Sequence, residues 1–148
     1  MSERTVADSM SDTHVKLIAC WAGILTSHDL GRIGQIYAPD AVYTDIPMGV
    51  KLTGHAEIRR FVSETITAYP DYAMAVHLAV GDDEAGVAEW TMSGTNLGRA
   101  WGLTPTGRRM AVRGTCFMRF KNGLIVQQSD YWSLSHLNEQ IGPQLPVS

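Results

Sequence analysis

An α+β fold, with helices packed on one face of a curved and mostly antiparallel sheet, is what this 148-residue chain predicts. Two observations carry the prediction. In the first half, apolar residues recur at helical spacing, whereas the second half alternates at period two between turn signals. Helices first and an antiparallel meander afterwards is the α+β order.

Each element follows from its own pattern. Residues 1–12 are polar and read as a flexible N-terminus, leaving one domain over 13–148. Val15, Ile18, Ala19, Ala22 and Leu25 share one face of a helix over 15–30, with Thr13 as a candidate cap. A short helix over 30–37 ends before Pro39, and AVYTDI (41–46) reads as a strand. Gly54 opens an amphipathic helix whose face carries Ile58, Phe61, Val62, Thr65 and Ile66 and which stops before Pro70. Strands follow over about 72–81, 86–96, 108–120 and 124–134, with turns at GDDEAG and KNG.

Composition excludes several function classes. A net charge of −3 gives no basic face for nucleic acid or an anionic membrane. No run of about 18 apolar residues is present to span a bilayer, and the first residues lack the apolar core of a signal peptide. Cys20 and Cys116 lie in no metal or redox spacing, which predicts a cytoplasmic protein with two free thiols. Without a glycine-rich phosphate loop, zinc pattern or nucleophile elbow, no cofactor or metal is expected.

One residue stands out from the strand IVQQSDYWSL (125–134). Asp130 places a carboxylate among apolar neighbours, where burial disfavours the charged form. Read as a three-residue loop, KNG pairs Phe120 with Leu124, Cys116 with Gln128 and Gly114 with Asp130. The inner face then holds Met110, Val112, Cys116, Met118, Phe120, Leu124, Val126, Asp130 and Trp132. Arg109, Arg113, Arg119, Gln127 and Tyr131 face outward, as a polar surface suited to a subunit contact. A two-residue Asn-Gly turn would shift the register and put Asp130 on the face of Thr115. The longer loop is preferred because it keeps the arginines in water. Asp130 then looks into the interior, either as a structural hydrogen-bonding group or as a general base with a raised pKa. Gln128 and Trp132 beside it, and a gap at Gly114, favour the base.

Several segments together resemble a known family. HDLGRIGQIYAPDAVYTDIP, LTGHAEIRRFV, and GRAWGLTPTGRRMAVRGTCFMRFKNGLIVQQSDYWSLSHLNEQIGPQLP are similar to the SnoaL-like polyketide cyclases of the NTF2-like cone fold. The resemblance runs from about residue 15 to 146. It implies a cavity between helices and sheet, and an intramolecular aldol cyclisation without cofactor, in which the aspartate matching Asp130 is the base. The family's neighbouring histidine is replaced by Cys116, a weak donor, so His77 and Tyr43 become candidates for the proton return. Dimers or higher homo-oligomers are implied as well.

Two related enzymes of this fold are less similar. DAVYTD puts Asp45 where ketosteroid isomerase keeps its proton-shuttling aspartate, but Trp21 and Cys116 stand in place of the acidic oxyanion donors. Asp45 also reads as a strand-end aspartate making a turn hydrogen bond. SDYWSL resembles limonene epoxide hydrolase, whose arginine and second aspartate are here Trp90 and Met92. Trp21, Trp90, Trp101 and Trp132, with Met74, Met92, Met110 and Met118, suit a flat hydrophobic small molecule. Trp101 and Arg99, in a glycine-rich loop, are placed at the cavity mouth. The expected site is therefore Asp130 and Asp45 as catalytic carboxylates, with Trp21, Tyr43, His77, Trp90, Trp101, Cys116, Gln128 and Trp132 around the substrate. The alternative is a non-catalytic ligand-binding or dimerisation module of the same fold.

Overall fold

The computed structural model describes residues 6–146 of the chain. Helix α1 (Val6–Ser27) leads through a 3-10 turn (Leu30–Arg32) to the short α2 (Ile33–Ile36), strands β1 (Tyr37–Asp45) and β2 (Val50–Thr53), and helix α3 (His55–Ala68). Strands β3 (Ala73–Gly81), β4 (Ala85–Thr95), β5 (Arg109–Lys121) and β6 (Leu124–Trp132) follow, and helix α4 (Leu134–Ile141) comes last. Of the stretch expected to be flexible, residues 1–5 lie outside the described residues. Helix α1 is already formed at Val6, so Thr13 sits within it and does not cap its start. The helix over 30–37 is shorter than expected because β1 begins at Tyr37.

The six strands form one sheet in the order β2-β1-β6-β5-β4-β3. The meander β3 to β6 is the expected part. The hairpin β1–β2 adds to it by a parallel pairing of β1 with β6, a long-range contact that no local pattern announces. Register slips between Tyr37 and Val42, so Pro39 falls where the ladder is interrupted and its missing N–H costs no ladder bond. Ile18, Trp21 and Ile24 of α1 and Ile58 and Val62 of α3 are buried against Met74, Trp90, Met92, Met110 and Val112 of the sheet. Each such side chain contributes roughly 1.5–3 kcal/mol on burial.

Helix α4 is an addition to the expected elements. Ser133 caps it, its hydroxyl accepting from the N–H of His136 at 3.1 Å. Its Gln140 amide pairs with β5 where β6 has ended, accepting from Ala111 N at 2.7 Å and donating to Ala111 O at 3.0 Å. That bond pair covers a strand edge and folds the C-terminal segment over one end of the sheet.

The β5–β6 turn is shorter than the preferred reading. Asn122 (φ 53°) and Gly123 (φ 76°) both lie in the left-handed region, the requirement of a two-residue type I′ turn. Lys121 therefore pairs with Leu124 and Phe120 with Ile125. A bulge then consumes Val126, since the next pair is Arg119 with Gln127. The extra residue restores the parity that the short turn had changed. Cys116 faces Asp130, Met118 faces Gln128 and Gly114 faces Trp132. Asp130 points inward as expected, though by a different register. Ile125 takes the core position, while Leu124 and Val126 are only half-buried.

Gly114 also differs from expectation: no gap opens there, because the Trp90 ring covers it. A Cβ at Gly114 would stand 2.5 Å from Trp90 Cη2 and 2.8 Å from the carbonyl oxygen of Tyr131. Gly114→Ala is expected to destabilise the fold by roughly 1–3 kcal/mol, read as a lowered denaturant midpoint at unchanged slope. A variant as stable as the wild type would show that Trp90 moves aside freely.

Candidate active site

A cavity of about 690 Å³ lies between α1, α3 and the concave face of the sheet. Its walls are largely aromatic and thioether side chains: Trp21 from α1, Phe61 from α3, Tyr69 and Tyr72 from the α3–β3 connection, and Met74, Trp90, Met92 and Met110 from the sheet. Strand β1 adds Tyr43 and Asp45, and β6 adds Asp130 and Trp132. Leu137 and Asn138 of α4, with Pro143 and Gln144 beyond it, line one end. No lysine, arginine or histidine does so among the described residues.

Asp130 is 4% exposed. Its Oδ2 accepts a hydrogen bond from the Tyr43 hydroxyl, and its Oδ1 accepts from Gln128 Nε2 at 2.9 Å. Burial pushes its pKa up to about 7; the two hydrogen bonds pull the other way and the nearby Asp45 adds to the rise. The Tyr43 phenol is held well above its ordinary range by burial and then by the Asp130 charge, so it remains a donor. Behind Gln128, the Tyr37 hydroxyl donates to Gln128 Oε1 at 2.5 Å.

Asp45 is the register partner of Asp130 across the parallel β1–β6 pair and is equally buried. Its Oδ1 accepts from Met48 N at 3.1 Å and its Oδ2 from Trp132 Nε1 at 3.1 Å. Burial raises its pKa too, against both hydrogen bonds. Asp45 thus makes the turn hydrogen bond and also lines the cavity.

The remaining expected residues divide. Trp21, Tyr43, Trp90, Trp101 and Trp132 line the cavity. Trp101 sits in a tight turn with Gly102 (φ 53° and 69°), which projects its ring to 6.1 Å from that of Phe61. Phe61 in turn lies 5.8 Å from Tyr43, so an aromatic row leads from the loop to the base. Arg99 is exposed and lines no part of the cavity.

Four residues are displaced from their expected places. His77 occupies a bulge in β3 and is exposed, bonded to Thr91 Oγ1 at 2.6 Å, as the alternation from inward Met74 and Val76 requires. Gln128 is fully buried behind Asp130 and contacts the carboxylate instead of the cavity. Cys116 is also fully buried off the lining, its thiol pushed up to about 12 by burial and then by the Asp130 charge. Met118 likewise packs away from the cavity.

Some site residues lie outside the set expected from sequence. Leu134, Leu137 and Asn138 line the cavity and, with Ile141, follow helical spacing, a signal the chain does carry. Tyr37 carries none, since the register slip after it breaks the period of β1.

Comparison with known proteins gives a consistent result. The family model of the SnoaL-like polyketide cyclases matches residues 15–141. IdmH from Streptomyces antibioticus, proposed as a polyketide cyclase, is 21% identical with a TM-score of 0.75, covering 87% of this chain and 98% of its own. A proposed SnoaL-like polyketide cyclase from Jannaschia sp. CCS1 is 12% identical with a TM-score of 0.81, covering 90% and 95%. A protein of ketosteroid isomerase-like fold from Catenulispora acidiphila, solved with trimethylamine, is 22% identical with a TM-score of 0.73, covering 85% and 92%. These neighbours share the NTF2-like cone fold. No curated protein matches the sequence significantly.

The raised pKa of Asp130 sets a stability signature. Between the ordinary carboxylate range near 4 and about 7, the folded state holds the proton more tightly than the unfolded chain. Stability from this group is therefore full below pH 4 and is lost as pH rises to 7. Asp130→Asn should match the wild type near pH 4 and exceed it above pH 7 by about 1–4 kcal/mol, measured by denaturant unfolding across that range. A constant difference between the two proteins would contradict the burial argument.

Proposed function

The chain belongs to the SnoaL-like polyketide cyclase family, and from that premise we propose a cofactor-independent intramolecular aldol cyclase with Asp130 as the general base. Family membership supports a cyclase or isomerase-like role. The observation that carries the finer reading is a buried carboxylate, raised to about 7, facing a large aromatic cavity with a hydroxyl donor on one oxygen. The substrate class is a polyketide or similar polycyclic carbonyl compound.

The steps follow from these groups. Asp130 removes a proton from a carbon flanked by carbonyls, and the electron pair passes into the conjugated enolate. The enolate carbon bonds to a ketone carbon of the same molecule, moving the C=O π pair onto oxygen as an alkoxide. Tyr43 gives its hydroxyl proton to that alkoxide and takes the proton Asp130 has collected, which restores both groups. Cys116 is unsuited to this step, being buried off the cavity with its thiol at about 12. The aromatic walls fold the chain of the substrate and exclude water, so positioning supplies much of the rate. A pure binding module would gain nothing from a buried carboxylate that costs stability at neutral pH.

Asp130→Asn should lower turnover of an aromatic polyketone closed by the wild type roughly 10²–10⁴-fold with little change in substrate binding. Asp45→Asn serves as the comparison. If the two variants exchange phenotypes, Asp45 is the base; if Asp130→Asn keeps near wild-type turnover, the assignment is wrong.

We also propose that the outer sheet face forms a homodimer contact. It carries Leu78 and Val80, each 55% exposed, with Val87 and Tyr131 beside Arg113 and Arg119. Light scattering at micromolar concentration should report a dimer, and a monomer would refute the contact.

A further inference from the structure

We propose that Tyr37, acting through Gln128, is a positioning residue that fixes the hydrogen-bonding state of Asp130 and so sets the pH at which it becomes a base. The proposal rests on Asp130 as the base and extends it to two residues that never reach the cavity.

The orientation of an amide is ambiguous by itself. Gln128 can present either its N–H₂ or its oxygen to Asp130 Oδ1, and the two orientations have opposite consequences. An N–H donated to Oδ1 stabilises the carboxylate; an amide oxygen there repels it and favours the protonated acid. Gln128 is fully buried, so water does not decide between them.

Tyr37 decides. Its hydroxyl donates to Gln128 Oε1 at 2.5 Å, which leaves Nε2 directed at Asp130 Oδ1 at 2.9 Å. Tyr37 is itself 1% exposed, and burial holds its phenol well above its ordinary range, so it stays a donor at every relevant pH. Turning the amide over would leave that buried hydroxyl without its acceptor, a cost of about 1–3 kcal/mol. The Tyr37 backbone is held in place in turn: His55 Nε2 bonds its main-chain carbonyl oxygen at 2.7 Å, and the residue pairs with Ile125 of β6.

Other groups face Asp130 and are counted with the pair. From β1 come Tyr43, which donates to Oδ2, and the Asp45 carboxylate; from β5 comes the Cys116 thiol, and Tyr72 stands across the cavity. Among the described residues, the Gln128 amide bonds the side chains of Tyr37 and Asp130 and no third one. The orientation of that amide therefore rests on Tyr37.

The first arm of the test needs no substrate. Full-length protein carrying ¹³C-labelled aspartate is titrated by carboxyl NMR, with the Asp130→Asn spectrum identifying the Asp130 signal. Tyr37→Phe removes one oxygen and keeps the ring. It frees the amide to accept from protonated Asp130, and should raise the Asp130 midpoint by about half to one pH unit. Gln128→Met, similar in volume, deletes the donor and should raise it by more than about one unit. The midpoint of turnover against pH should move by the same amounts in both variants. A merely structural pair would lower the unfolding temperature and leave these midpoints in place, and that result overturns the proposal. Should Gln128→Met not fold, Tyr37→Phe alone decides by the same criterion. Shifted midpoints together with an active Asp130→Asn would sink the base assignment and leave the clamp standing; an inactive Asp130→Asn with unmoved midpoints would do the reverse.

Discussion

A carboxylate held in an apolar cavity is the constraint on which the rest of this structure depends. Asp130 cannot carry charge there unless its oxygens are hydrogen-bonded, and both are, by Tyr43 and Gln128. Those two donors are themselves buried and need their own support. Gln128 finds it in Tyr37, and Tyr37 in His55 at the first turn of α3. Buried side-chain hydrogen bonds thus run from Tyr37 through Gln128 to the Asp130 carboxylate, with His55 fixing the Tyr37 backbone from the side of the helix. The balance leaves Asp130 titrating near neutrality, between the ordinary acid that water would make of it and the permanently protonated one that burial alone would make.

Strand geometry delivers these groups to one place. The parallel pairing of β1 with β6 sets Tyr43 opposite Gln128 and Asp45 opposite Asp130, so that Tyr43, Asp45 and Asp130 face the cavity together with Gln128 buried behind them. The Val126 bulge performs the matching correction on the other side of β6. Without the extra residue, the tight Asn122-Gly123 turn would direct Asp130 to the outer face, where Arg113, Arg119 and Tyr131 stand. The inward orientation of Asp130 is thus set by the number of residues between the turn and its position in β6.

The replacement of the family's histidine by Cys116 takes on a physical meaning in this setting. Cys116 is packed beneath the site with Trp90 and Gly114 as neighbours in the sheet, and its thiol remains protonated. Under the proposed mechanism, proton return falls to Tyr43, already bonded to Asp130 and already on the cavity wall. In that proposal one carboxylate and one phenol, in contact, would take the place of the carboxylate and imidazole that the family resemblance implies. Among the described residues no cationic side chain lines the cavity. In the proposed reaction the enolate would be stabilised by its own conjugation, which suits a substrate with extended carbonyl systems.

Much of this is legible in the chain itself. The amphipathic faces of α1 and α3 and the four meander strands follow from period and turn residues, because those signals are local and each buries a face; the inward Asp130 follows from keeping the apolar set together, not from the turn, which is two residues long. Helix α4 carries a signal of the same kind in Leu134, Leu137 and Ile141, but over 8 residues it is too short to stand out from an irregular tail. Tertiary structure alone decided the rest. The bulge at Val126 leaves no mark in residue type. The pairing of β1 with β6 joins segments distant in the chain, such as Asp45 and Asp130. Tyr37, separated from the regular part of its strand by a register slip, shows no period to place it. Its role exists only where its hydroxyl meets Gln128, since a buried hydrogen bond between distant strands is a property of packing, and packing is the one thing that local pattern does not encode.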